Sequence, residues 1–148
     1  MVEMVTSATA PGFSREAFEN WTIQMRKGVL DLCILKALSK REWYGYALVK
    51  ALVAVPGVGV AEGSIYPLLA RLRRQGLVTT RLEESNEGPA RKYYLATAEG
   101  RELAEEMEAY FAEMLRGVAG LQAGVDFAAV ATLTTGLAVT PDGHGNRK

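Results

Sequence analysis

Three arginines, Arg71, Arg73 and Arg74, crowd the second half of the stretch GSIYPLLARLRRQGLV, Gly63 to Val78. Setting Ile65 at the centre of an inward helix face and advancing about 100° per residue places Leu68, Leu69 and Leu72 beside it. Gly63, Pro67, Ala70 and Arg74 fall opposite. Tyr66 and Arg73 flank the outer side on one edge, Ser64 and Arg71 on the other. Such a face is small at its start and basic toward its end. Small residues allow close approach to base edges, and hydroxyl and guanidinium groups supply hydrogen bonds, so the profile suits a helix that enters a DNA groove. Solvent alone also favours an arginine-rich outer face, so the neighbouring elements must decide.

Pro67 bears on how this helix begins. A proline in the first turn costs little, because those N–H groups have no internal partner. If Ser64 caps the helix, Pro67 lies in that turn. If the helix starts near Ala61, Pro67 removes one internal bond. Glu62 suits a first turn through the helix dipole and favours the earlier start.

Other chemistry is sparse. Cys33 is the single cysteine and His144 the single histidine of the 148 residues, which leaves no metal cluster and no catalytic thiol pair. Cys33 lies in the apolar run VLDLCIL and is expected to act as a small buried hydrophobe. The carboxylates of EEMEAYFAE read as a solvated helix face, and adjacent Glu105 and Glu106 point to different sides. Acid–base catalysis needs converging groups, so no enzyme and no cofactor is expected. Seventeen Lys and Arg balance seventeen Asp and Glu; any polyanion must be met by a local patch. Such a patch exists: between Arg71 and Lys92 there are six basic and three acidic residues. The N-terminus has no signal-peptide pattern and no apolar run approaches the ~18 residues of a membrane span, so the expected location is cytoplasmic.

The elements that position these groups follow in order. Residues 1–13 read as a loose arm, and Ser14 as the cap of a short helix, REAFENW. MRKGVLDLCILKALSK forms a largely buried helix on Val29, Leu30, Cys33, Ile34, Ala37 and Leu38. REWYGYALVKALVAV forms the next, with Tyr46, Val49, Leu52 and Val53 at helical spacing, broken by PGVGV. The opening helix ends at Gly76, a residue that accepts positive φ. LVTTRLEE and RKYYLA are strands joined by SNEGP. Thr97 caps a long helix with Gly100 at its third position, ending near Gln122. The expected fold is mainly α with a small β-hairpin: a winged helix-turn-helix over 21–96, preceded by an arm or short helix over 1–20. A dimerisation helix over 97–122 and a flexible or weakly structured tail over 123–148 follow.

MRKGVLDLCILKAL, YGYALVKAL, GSIYPLLARLRRQGLV and GPARKYYLATAEGRE, in this order, resemble the successive signatures of the PadR-like transcriptional regulators. The single long helix after the wing is similar to the shorter, LmrR-like subfamily. The resemblance spans about Gln24 to Phe111. It implies a dimeric DNA-binding transcription factor, commonly a repressor released by a small molecule or stress signal. It further implies Ser64, Tyr66 and Pro67 at the DNA-facing start of the third helix, and Arg71 and Arg74 on bases or phosphates. Arg91 and Lys92 would hold the backbone at the wing. Tyr44 and Tyr46 fall in the second helix, mostly for packing, with Tyr44 available for a phosphate. Ala61 stands where the family often has a capping Ser.

Two expectations concern assembly. Leu103, Met107, Tyr110, Phe111 and Met114 give the last helix an apolar stripe larger than one small domain covers, so an isologous homodimer is expected there, helped by Phe18 and Trp21. Met25, Met107, Phe111 and Met114 are soft or aromatic groups that suit either ordinary packing or an aromatic or amphipathic effector at the dimer centre. The expected partner is double-stranded DNA carrying an inverted repeat. The alternative is a winged-helix module that binds protein instead; it should expose Leu or Phe where this helix exposes Arg and small residues.

Overall fold

A computed structural model describes residues 12–122. The chain divides into two compact units, Met1–Glu108 and Ala109–Lys148. The elements are α1 (Gly12–Lys40), β1 (Trp43–Tyr44), α2 (Gly45–Val53), α3 (Glu62–Arg74), β2 (Val78–Glu83), β3 (Arg91–Ala96) and α4 (Ala98–Gln122). This is the winged helix-turn-helix arrangement, mainly helical with a small antiparallel sheet.

The core of the first unit is aliphatic. Ile34, Leu35 and Leu38 of α1, Leu48, Val49 and Leu52 of α2, and Ile65, Leu69 and Leu72 of α3 are almost completely buried, with Val78, Tyr94, Ala96 and Ala104 closing the sheet side. Truncating any one of the leucines to alanine removes roughly 2–5 kcal/mol. Cys33 is half-buried against this core, and burial pushes its thiol pKa up, which keeps it protonated and inert.

Three sequence expectations change. The short REAFENW helix and its successor form one helix, α1, which begins at Gly12, so Ser14 lies inside it rather than capping it. The second helix starts at Gly45, because Trp43 and Tyr44 pair antiparallel with Tyr94 and Tyr93 and make the wing a three-stranded sheet of order β1-β3-β2. Tyr46 is exposed; Gly45, Leu48, Val49 and Leu52 form the inward face of α2. Gly45 has a packing reason, since a Cβ there would stand 2.9 Å from Tyr94 Cε2. The tail from Ala123, the arm before Gly12 and His144 lie outside the described residues.

The junction of α3, the sheet and α4 is built from capping groups. Gly76 has φ 76°, its N–H donates to the Arg73 carbonyl, and the Leu77 N–H donates to the Leu72 carbonyl. This double bond pattern ends α3 sharply and delivers the chain into β2. The Thr97 hydroxyl accepts from the Gly100 N–H at 3.1 Å and donates to the Gly76 carbonyl at 2.7 Å, so the cap of α4 also holds the end of α3. Gly100 is buried, and a Cβ on it would lie 2.0 Å from the Leu77 carbonyl oxygen.

Glycine to alanine inside a helix normally stabilises by about 1 kcal/mol. Gly100→Ala should do the reverse, costing roughly 1–3 kcal/mol because backbone must move. Thr97→Val should cost roughly 1–2 kcal/mol. Urea unfolding checks both; a more stable Gly100→Ala protein would contradict this packing.

Candidate nucleic-acid interface

Helix α3 begins one residue after Ala61, which has extended backbone and offers no side-chain cap. The earlier of the two starts is therefore the one adopted. Pro67 is the sixth helical residue, and it withholds the N–H that the Gly63 carbonyl would otherwise receive. Gly63 and Pro67 are exposed, so water can satisfy that carbonyl. Glu62 in the first turn bonds Lys50 of α2 at 2.8 Å, tying the start of α3 to the preceding helix.

The buried stripe of Ile65, Leu69 and Leu72 fixes the rotation of α3, and the two edges beside it meet different neighbours. Tyr66 and Arg73 face the wing: with Arg74, Lys92 and Tyr94 they line a cleft of about 380 Å³. Burial raises the Tyr94 phenol pKa, nearby Tyr66 raises it further, and Arg73 opposes them, so the phenol stays neutral. The other edge faces α1. Arg71 Nη2 donates to Asp31 Oδ1 at 2.6 Å, which raises the guanidinium pKa through that hydrogen bond and the paired charge. Ser64 is exposed and lines a cavity of about 410 Å³ with Ile23, Arg26, Leu30, Val60 and Leu68, among others.

The wing carries its cations over aromatic rings. Arg91 Cζ stands 5.3 Å from the Tyr44 ring centroid and Lys92 Nζ 5.7 Å from that of Tyr94. Tyr44 belongs to β1, not to the second helix, and packs against Tyr46 and Tyr93 with centroids 6.4 and 5.9 Å away. Arg81 is engaged: it donates through Nε and Nη2 to both oxygens of Glu42, at 2.7 and 2.5 Å. Those bonds hold the Glu42 carboxyl below its ordinary pKa and raise that of Arg81. Among the described residues, Arg73, Arg74, Arg91 and Lys92 make no ion pair. All four are exposed, and Arg73, Arg74 and Lys92 border one cleft.

Sequence periodicity leaves Arg73 at an edge of the outer face and gives it no role. Its place in the cleft depends on the wing folding back, which no local pattern encodes. The expected effector-site residues are dispersed in character. Met25 is half-buried and Met107 is packed against the core, whereas Phe111 is half-buried and Met114 exposed. Leu103 is also packed against the core. Tyr110, Met114, Leu115, Val118 and Leu121 of the second unit are exposed, as are Phe18 and Trp21 of α1.

The family model for the transcriptional regulator PadR-like family matches residues 34–106. Among solved structures, a PadR-like transcriptional regulator from Bacillus cereus is 42% identical over 67% of this chain and 96% of its own, with a TM-score of 0.60. A PadR family regulator from Eggerthella lenta is 33% identical over 74% of this chain and 95% of its own, with a TM-score of 0.64. A PadR-like transcription factor from Bacteroides fragilis is 36% identical over 69% and 98%, with a TM-score of 0.58. No curated protein matches the chain.

The environments of Arg71 and Arg74 predict unequal effects on stability in the free protein. Arg71→Ala should lower unfolding stability by about 1 kcal/mol, leaving Asp31 without its partner. Arg74→Ala should stay within about 0.5 kcal/mol of the parent. Thermal unfolding of both variants checks this, and equal losses would contradict the assignment.

Proposed function

We propose, for a chain that belongs to the PadR-like family of transcriptional regulators, the role of a homodimeric repressor that reads an inverted-repeat operator with α3 and its wing. DNA binding is the general property of the family. The finer reading rests chiefly on one observation: four exposed cations that make no ion pair among the described residues, Arg73 and Arg74 on α3 and Arg91 and Lys92 at the start of β3, three of them (Arg73, Arg74 and Lys92) bordering a single cleft.

In this reading α3 enters the major groove with its N-terminal end leading. Gly63 and Pro67 keep that end narrow, and Ser64 and Tyr66 offer hydroxyls to base edges. Arg74, opposite the buried stripe, reaches a base or phosphate. Arg73 joins it from the cleft. Arg91 and Lys92 grip the backbone, and Tyr44 supports Arg91 from beneath. Arg71 serves by holding α3 to α1 through Asp31. The protein-binding alternative is disfavoured by the charge and small size of this face. Among the described residues no group of three potential metal ligands occurs and no helix is long and apolar enough to cross a membrane.

The homodimer is supported by Tyr110, Leu115, Val118 and Leu121, large apolar side chains left exposed on α4, and by Phe18 and Trp21 on α1. Phe111 and Met114 belong to the same stripe. Regulation by an aromatic or amphipathic molecule is supported by the cavity between α1 and α3, whose wall includes Ser64 of the reading helix. A ligand there changes DNA affinity only if it fits the free and bound forms differently.

Eight phosphate contacts in a dimer, four per protomer, would give log affinity against log salt a slope of roughly −7. Titrating the protein with a duplex selected from a random pool, and with a scrambled duplex, measures it. Arg74→Ala or Lys92→Ala should make the slope shallower by roughly 2 when a phosphate contact is lost in both protomers. A nearly salt-independent affinity would overturn the reading. For assembly, the parent should sediment at twice the chain mass at micromolar concentration, and Leu115→Glu/Val118→Glu should sediment as a folded monomer. A dimer that survives both charges would refute the α4 interface.

A further inference from the structure

Of the large apolar side chains on β2 and β3, Leu82 is the exposed one, at 70%. It stands opposite Lys92 in the ladder, while Thr80 stands opposite Tyr94 and Val78 opposite Ala96. Side chains alternate along a strand. Leu82 therefore continues the face that begins with the buried Val78, two positions beyond where core cover ends. With Arg73, Thr80, Arg81 and Lys92 it lines a groove of about 360 Å³.

The groove constrains its occupant. Arg73 and Lys92 have no carboxylate partner among the described residues, so the occupant is anionic. Leu82 demands an apolar surface between or beside those charges. Arg81 is held by Glu42, and Thr80 adds a hydroxyl. Glu83, Glu84 and Glu87 follow Leu82 into the hairpin loop, whose residues 84–90 carry acids and no cation. A polyanion is therefore met by the paired strands and not by the loop, at the level where Leu82 stands opposite Lys92.

We propose that Leu82 is a wing contact that packs on the deoxyribose wall of the operator's minor groove. Arg73 and Lys92 meet the phosphates on either side. A sugar–phosphate chain offers anions and C–H surface at alternating positions, which is the complement of this groove. Apolar side chains pressed against the minor groove are a recurrent device of DNA binding. The proposal rests on the DNA reading above and adds a non-electrostatic component to it. Leu82 then contributes affinity without releasing counterions.

The test compares the parent, Leu82→Ala, Leu82→Met and Arg74→Ala on the selected duplex across a salt series, with hydroxyl-radical footprints and sedimentation. Leu82→Ala should weaken binding roughly tenfold with an unchanged salt slope. It should also lose sugar protection at the outer ends of the two half-sites. Leu82→Met should restore both. Arg74→Ala should weaken binding and flatten the slope, as the DNA reading requires. If Arg74→Ala acts but Leu82→Ala keeps full affinity and footprint, the Leu82 contact is refuted while the DNA reading stands. If neither acts, both fall. If Leu82→Ala changes only the sedimentation of the protein, the groove belongs to a protein contact and the proposal is overturned.

Discussion

The burial of Ile65, Leu69 and Leu72 against α1 and α2 is the constraint on which the rest depends. A helix with three nearly solvent-free anchors on one side has no rotational freedom. Its outer residues are set by subtraction. Gly63, Pro67, Ala70 and Arg74 must point away, and the two edges must meet whatever stands beside them. On one edge that is α1, which takes up Arg71 through Asp31. On the other it is the wing, which brings Lys92 and Tyr94 to Arg73 and Tyr66. The surroundings of three neighbouring arginines are thus set by packing, not by their own chemistry.

The wing is held to the same frame. Leu77 takes part in ending α3, begins the path into β2 and leaves room only for glycine at position 100. Thr97 closes the circuit by bonding both the Gly76 carbonyl and the Gly100 N–H. A wing fixed to the C-terminal end of α3 through so few residues keeps its cations in register with those of the helix. The rings of Tyr44 and Tyr94 then hold Arg91 and Lys92 in place without neutralising them, as a carboxylate would. Arg81 shows the contrast: Glu42 takes both of its forward donors, and its charge serves the wing itself.

Local signals carried much of this arrangement. The helical period around Ile65 gives the inward face of α3, Gly76 its end and Thr97 the start of α4, because each depends on residues within a few positions. What the sequence hides depends on distant partners. β1 is two residues long and exists only because Tyr93 and Tyr94 pair with it. Arg71 and Asp31 are 40 positions apart. Arg73 acquires its cleft only when β3 folds beside α3. The continuity of α1 was obscured by the polar-to-apolar change near Trp21, which separates an exposed half from a buried half of one helix. Gly45 reads locally as a weak helix start, whereas its value lies in the Tyr94 ring that a Cβ would strike.

The central claim is that the outer face of α3 and the start of β3 in the wing form one DNA surface. Residue-resolved amide chemical shifts, recorded while the selected duplex is added to labelled protein, test it most directly. The account predicts the largest changes at Gly63, Ser64, Tyr66, Arg73 and Arg74 and at Arg91 and Lys92, with the buried Leu35 and Leu48 little affected. Changes that spare α3 and the wing and gather elsewhere on the chain would contradict it.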